Sequence, residues 1–447
     1  MKSVKRPSYT ICKSKGKFLC STKDVTAKQV NEALNLNLGL PINPENKTLR
    51  KTLKWINILL TMWWEKYVFR FIHATPLSFR RWLCMKSWPI YFFLHKNLIG
   101  NRSGIHPDVS KEYHALTTVM WWGCLFPVTI PRMRFALSQL SVWTDNHITS
   151  KVTGVKHIME DIRDSNFSNC VTGKYINSGN IINNKLKVIF WIYGGAFLSG
   201  DVDGNLSPAE MVGKACGCDV FIPSYSLCPE AKFDQIIWDV LLAYNWLVTV
   251  KRVEASNIIL YGISSGAGLA ARLMQLIGKK KRGEKITPCF HSNVLTSMPN
   301  GAVLICPFVD YTEANPEGSF LQYSKHDLIV NQSVLEVGLP YFDIVFGKHR
   351  KDYSPCYGNC DDFPPLCVIV SQHETVYDQT LLLVNRARAQ GVPVTLGVWK
   401  YMSHVFPLLS AFCPEGQQAM KLVSEWVAHR ISEKKEPFRY KKNPKLI

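Results

Sequence analysis

"IILYGISSGAGLA" occupies residues 258–270. Three aliphatic residues and a Tyr suit a buried strand, and "AGLAARLMQLIG" (267–278) continues with helical periodicity. Between the two, Gly262, Ser264 and Gly266 alternate over five positions. A turn needs two glycines when strand and helix approach too closely for side chains. The serine between them fits G-x-S-x-G, the spacing of a nucleophile elbow, where a strained turn lifts a hydroxyl above the edge of a sheet. A helix N-terminus behind the hydroxyl favours developing negative charge. The pattern alone is weak; strand, turn and helix in that order give it weight.

Outward from this stretch, short apolar runs alternate with helical ones. "LKVIFWIY" (186–193), "DVFIPSY" (219–225), "GAVLICP" (301–307), "LCVIV" (366–370) and "VTLGVW" (394–399) suit buried strands. "DQIIWDVLLAYNWLVTV" (234–250) and "YDQTLLLVNRARAQG" (377–391) suit helices. The alternation predicts an α/β fold, a mostly parallel twisted sheet with helices on both faces.

A nucleophilic serine needs a base, and the base needs an orienting acid. After Ser264 the required order is acid, then histidine, on loops leaving later strands. "LCVIVSQHETVYDQT" offers Glu374, with Asp378 four residues on, and "VTLGVWKYMSHVF" offers His404. Donors for an oxyanion are expected after an earlier strand, where "WIYGGAFLSGD" (191–201) places Gly194 and Gly195, and at the amide of Ser265. A phosphate loop is the other reading of such glycines, but no G-K-[ST] follows.

Taken together, residues 185–430 resemble the hormone-sensitive lipase family of α/β-hydrolases, which includes the arylacetamide deacetylases. Tyr193-Gly194-Gly195-Ala196-Phe197 stands where that family has H-G-G-G-F, and Tyr225-Ser226-Leu227-Cys228-Pro229-Glu230 where it has Y-R-L-A-P-E. Gly262-Ile263-Ser264-Ser265-Gly266-Ala267 matches G-D-S-A-G-G. Glu374 to Gln379 aligns with D-P-L-R-D-E, and His404-Val405-Phe406 with H-G-F. The resemblance implies an α/β-hydrolase fold with a helical cap and a serine esterase. In it Ser264 is the nucleophile, His404 the base and Glu374 the acid, with the amides of Gly195, Ala196 and Ser265 as oxyanion donors. It implies no metal and no cofactor. Three departures stand out. Tyr193 replaces a histidine, and its hydroxyl could brace the loop or donate. Ala196 replaces a glycine, harmless only if φ is negative there. Ile263 removes an acidic neighbour of the nucleophile.

Charge and composition bound the rest. Of a net charge of +19, +15 falls in residues 1–150, which hold 22 Lys and Arg against 7 Asp and Glu. Residues 1–50 read as a basic, flexible leader, 51–150 as a basic, aromatic helical region and 151–447 as the catalytic domain, with a cap insertion near Asp310–Gly347. Lys and Arg are interleaved with Trp, Phe and Leu over 52–100, which suits helices lying in a lipid interface and argues against nucleic acid. Helices that simply cover the core would look the same. The apolar run 55–64 is far shorter than the roughly 20 residues of a membrane span, and the uncharged run 115–131 contains Pro127 and still falls short, so no span is expected. The first 30 residues lack the apolar core of a secretory signal, and scattered cysteines fit a reducing compartment, so an intracellular, membrane-associated setting is expected.

The expected activity is cleavage of a small-molecule hydrophobic carboxylic ester through an acyl-enzyme, the insertion supplying an apolar pocket. Two alternatives stay open: a retired hydrolase fold that binds a ligand, and an amidase or acyltransferase with the same triad.

Overall fold

A computed structural model describes residues 69–99, 108–124, 128–140, 157–163, 170–177, 186–284, 297–312, 318–324 and 327–432, with a few isolated positions besides. The basic leader expected over 1–50 lies outside the described residues.

Eight strands form one sheet: β1 (His157–Arg163), β2 (Cys170–Ile176), β3 (Val188–Ile192), β4 (Asp219–Pro223), β5 (Ile258–Ile263), β6 (Gly301–Ile305), β7 (Leu366–Ser371) and β8 (Val394–Trp399). Their order is β1-β2-β4-β3-β5-β6-β7-β8. Pairing is parallel from β4 through β8, and β2 runs antiparallel to both β1 and β4. Strands β3 to β7 are buried at every position, as expected of continuous aliphatic runs covered on both faces. Each lies within or against the run that predicted it. The antiparallel edge is an addition: "HIMEDIR" and "CVTGKYI" carry mixed charges and no long apolar run.

The strand order reverses beside β3. The chain leaves β3 for β4 on one side and later returns to β5 on the other. Loops following β3 and β5 therefore diverge, leaving a crevice at the C-terminal ends of the strands where ligands bind in open α/β sheets. Trp191 of β3 and Tyr261 of β5 are register partners whose rings stack at 4.4 Å, fixing the two strands below that crevice.

Nine helices are used below. In chain order they are α1 (Leu77–Leu94), α2 (Lys111–Cys124), α3 (Ile130–Ser138), α4 (Leu206–Cys216), α5 (Phe233–Thr249), α6 (Ser265–Lys281), α7 (Gln332–Phe346), α8 (Tyr377–Ala389) and α9 (Pro414–Ile431). Helix α6 is buried from Ser265 to Gly278 and ends on Lys279, Lys280 and Lys281, cations suited to the negative end of its dipole. Helix α7 belongs to the segment joining β6 to β7. Asn331 caps it by accepting from Val334 N–H (3.0 Å), and Phe346 stacks on buried Tyr311 at 4.4 Å, seating the segment on the core.

The helices before the sheet are tied to it as well. Val109, Tyr113 and Ile130 join the same buried cluster as the strands. Ser110 donates from its amide (2.7 Å) and hydroxyl (2.8 Å) to the Glu415 carboxylate at the start of α9. Arg134 on α3 donates Nε to Leu198 O (2.8 Å), Nη2 to Cys228 O (3.0 Å), and Nη1 and Nη2 to the two Glu230 oxygens (2.9 and 2.7 Å). This fork joins the loop after β3 to the loop after β4. Arg134→Lys keeps the charge and loses the geometry. We expect it to lower the unfolding free energy by about 1–3 kcal/mol in a urea titration. An unchanged midpoint would contradict the clamp.

Candidate active site

Ser264 has φ 54° and ψ −121°, a conformation that L-residues avoid. Such strain costs on the order of 1–3 kcal/mol and persists only where the surroundings over-determine it. Here they do. Ser264 N–H donates to Ile305 O at the end of β6 (2.8 Å), and Ser264 O accepts from Ala267, Gly268 and Phe308 N–H at 3.0, 3.2 and 3.1 Å. The flanking glycines explain themselves by contact. A Cβ on Gly262 would lie 2.5 Å from Ala267 Cα, and one on Gly266 would overlap the carbonyl oxygens of Ile192 and Tyr193. Strand β5 and helix α6 thus approach as closely as bare backbone permits.

The structure brings Ser264, His404 and Glu374 together. Ser264 Oγ lies 2.8 Å from His404 Nε2, and Glu374 Oε2 lies 2.6 Å from His404 Nδ1. Glu374 is fully buried at the end of β7, where its Oε1 accepts from Ser371 N–H (2.7 Å). Burial pushes the Glu374 carboxyl above the usual carboxylate range, while the His404 contact and the Ser371 amide pull it back. Asp378 stands elsewhere. Its carboxylate accepts from Ser319 N–H (2.7 Å) and its own N–H donates to Ser319 Oγ (3.0 Å), so it pins the β6–β7 segment to α8 rather than orienting the imidazole.

Three residues that sequence reasoning missed hold the histidine loop. Asp327, in the β6–β7 segment, accepts from His404 N–H at 3.1 Å while also accepting from Ile329 and Val330 N–H. Tyr113 on α2 donates to Ser403 Oγ (3.0 Å) and accepts from Ser403 N–H (2.6 Å). Burial pushes the Tyr113 hydroxyl up, so it stays neutral. Cys306 Sγ accepts from Val405 N–H at 3.3 Å, and burial followed by the neighbouring Glu374 carboxylate pushes its thiol well up. These partners lie 77, 290 and 99 positions from the residues they hold, so no local pattern announces them.

On the opposite side of Ser264, Gly195 has φ 133°, and a Cβ there would overlap the Ser199 carbonyl. Ala196 follows at φ 55°, so the condition for its being harmless is not met; the left-handed region costs an L-residue roughly 1–2 kcal/mol. Ser199 and Leu198 N–H both donate to Gly195 O (3.0 Å each), folding the loop into a tight turn. Among the described residues, none accepts a hydrogen bond from the amides of Gly194, Gly195, Ala196 or Ser265. Tyr193 does not point a donor at this gap. Its hydroxyl accepts from Tyr225 N–H (3.3 Å), its carbonyl accepts from the Tyr225 hydroxyl (2.5 Å), and the rings stack at 4.2 Å. It braces the loop from below. Ile263, the third departure, is buried within β5.

Ser264, Ala196 and His404 open onto a pocket whose space, counted with the open solvent at its mouth, is about 460 Å³. Its walls are apolar, including Met133 of α3, Leu198, Phe308 and, from α7, Leu335 and Phe342. Cys306, Glu374 and His404 offer three ligand-type atoms within 4.8 Å of one another. As a metal site the set fits poorly. Two of its groups face each other at 2.6 Å, and burial keeps the thiol protonated where a soft cation needs thiolate.

Comparison with known proteins agrees with this fold. A family profile described as an alpha/beta hydrolase fold matches residues 189–408. An esterase of Acinetobacter venetianus is 27% identical over 243 residues, 54% of this chain and 74% of that protein. An acetyl-hydrolase of Streptomyces hygroscopicus is 24% identical over 247 residues, 55% of this chain and 77% of its own. Among solved structures, an esterase from the bacterial hormone-sensitive lipase family superposes with a TM-score of 0.57 at 25% identity, covering 72% of this chain and 99% of that one. The chain has the α/β-hydrolase fold, and the proteins it is similar to are esterases, one of them from the bacterial hormone-sensitive lipase family.

Proposed function

We propose that the protein cleaves hydrophobic carboxylic esters through an acyl-enzyme on Ser264, with His404 as general base and acid and Glu374 as its orienting carboxylate. The observation that carries this reading is the position of His404 between the other two, 2.8 Å from Ser264 Oγ and 2.6 Å from Glu374. Ser264 Oγ attacks the ester carbonyl as its proton passes to His404 Nε2. The oxyanion enters the space facing the unpartnered amides of Gly195, Ala196 and Ser265, the last at the positive end of α6. His404 then returns the proton to the leaving alcohol. Water enters, loses its proton to His404 and releases the acid, regenerating Ser264. The apolar pocket supports a hydrophobic substrate.

We place this activity at an anionic lipid surface. Helix α1 docks through one face: the Tyr91 hydroxyl donates to Ala115 O (3.1 Å), His95 meets Thr118 Oγ1 (3.1 Å), and Trp88 sets its ring edge-on to Phe412 at 5.1 Å. The other face leaves Phe79, Trp82, Leu83, Ile90 and Phe93 each more than half exposed, with Lys86 and Lys96 exposed beside them. No described helix is long and apolar enough to cross a membrane. Apolar rings flanked by cations suit a helix lying in the interface, and the charge of the first 150 residues complements anionic headgroups.

Three outcomes are expected. Ser264→Ala loses turnover of a short-chain aryl ester by at least about 10⁴-fold, with its far-ultraviolet circular dichroism intact; residual turnover near the wild-type level would remove Ser264 from the chemistry. Glu374→Gln loses about 10³–10⁴-fold, yet its stability moves the other way. Because the folded pKa of Glu374 is raised, its contribution is present at low pH and lost as pH rises through that value. The Gln variant should therefore be more stable than wild type at pH 8, the gap narrowing on acidification; a gap that widens would contradict the burial cost. Finally, Trp82→Ser with Phe93→Ser should reduce co-flotation with phosphatidylserine-containing vesicles, and binding that equals wild type would exclude α1 as the contact face.

A further inference from the structure

The face that α7 turns to Ser264 carries Val334, Leu335, Gly338, Leu339 and Phe342, spaced as one side of a helix. Four of the five fill the pocket wall. The middle one has no side chain.

A glycine inside a helix is costly, because it loses more backbone freedom on folding than any other residue. Three other buried helical glycines have a steric reason to be there. A Cβ on Gly213 would press on Val220 Cγ2 at 2.5 Å, one on Gly268 would overlap Phe308 O, and one on Gly416 would reach Ser410 at 2.8 Å. Gly338 has no such reason. It is buried and its φ is not positive, and a Cβ built on it would meet only Leu198 Cδ1, at 3.7 Å, an ordinary contact. Neither packing nor backbone geometry requires glycine there. The space a side chain would take is part of the pocket above Ser264.

We infer that Gly338 is a specificity-determining residue: its missing side chain leaves room for the acyl chain of a medium-chain ester. This rests on the reading of Ser264 as the nucleophile. Once the carbonyl oxygen faces the Gly195 and Ala196 amides and the leaving oxygen faces His404 Nε2, the acyl chain takes the remaining direction. The gap at Gly338 lies beside Leu198, on the loop that also carries those amides. A side chain at 338 shortens the chain that fits.

The test compares wild type, Gly338→Ala and Gly338→Leu on two ester series: p-nitrophenyl esters from acetate to octanoate, and acetates of alcohols of increasing length. Gly338→Leu should lower the octanoate-to-acetate ratio of kcat/KM by about tenfold or more, the discrimination that hydrophobic pockets provide per small change in size. Gly338→Ala should shift the optimum toward shorter acyl chains and raise the thermal midpoint, since alanine favours the helix. An acyl profile that stays put in both folded variants overturns the inference, as does a change confined to the alcohol series. A Ser264→Ala variant that turns over these esters at the wild-type rate fails the underlying serine mechanism instead, so the two failures are distinct.

Discussion

Everything at the crevice depends on how closely β5 and α6 are pressed together. At Gly262 and Gly266 there is no room for a methyl group, because the opposing atoms are backbone of α6 and of the end of β3. Ser264, between them, is held at positive φ by four backbone hydrogen bonds, from β6, α6 and the loop after β6. The strain is local, and the sheet sustains it because β3, β5 and β6 are fully buried and in parallel register. The same compression brings the loop after β3 against the turn, since a Cβ on Gly194 would lie 2.7 Å from Ile263 O. One steric constraint thus sets both the hydroxyl and the start of the loop after β3.

The histidine is positioned differently. It sits on the loop after β8, which β7 holds at one point, the Ser371 hydroxyl accepting from Met402 N–H (3.1 Å), and which is otherwise held by parts of the chain outside the strands. Asp327 takes the His404 amide from the β6–β7 segment, and Tyr113 takes Ser403 from a helix that precedes the sheet. Pocket and proton relay both draw on peripheral pieces of the chain: α3 and α7 supply walls, while α2 and the segment before α7 hold the histidine loop. A change in how those pieces sit would alter substrate fit and His404 geometry together.

Legibility in the sequence followed burial. Strands β3 to β7 are covered on both faces, so they read as unbroken aliphatic runs with no competing interpretation. The elbow was readable because sterics leave only glycine at two of its positions. Strands β1 and β2 lie at the edge, where "HIMEDIR" can mix charge with apolar residues, and they left no run to find. Around the site, local order along the chain singled out Ser264, Glu374 and His404, but conformation and distant contacts were hidden. Ala196 was read as tolerable only at negative φ, and it adopts φ 55°. Tyr193 offered two roles on paper; stacking on Tyr225 and accepting its amide leave it the bracing one. Asp378 stood four residues from Glu374, near enough to compete in sequence, yet its place on the first turn of α8 aims it at Ser319.

The most direct measurement is where a covalent probe lands. A fluorophosphonate phosphorylates a serine only where a base accepts its proton and donors stabilise the charged phosphoryl oxygen, so it reports the turn, the histidine and the amides at once. Peptide mass spectrometry of the labelled protein should find one adduct, on Ser264, formed at a stoichiometry approaching one. An intact protein that takes up no label, or an adduct on another residue, would contradict the account.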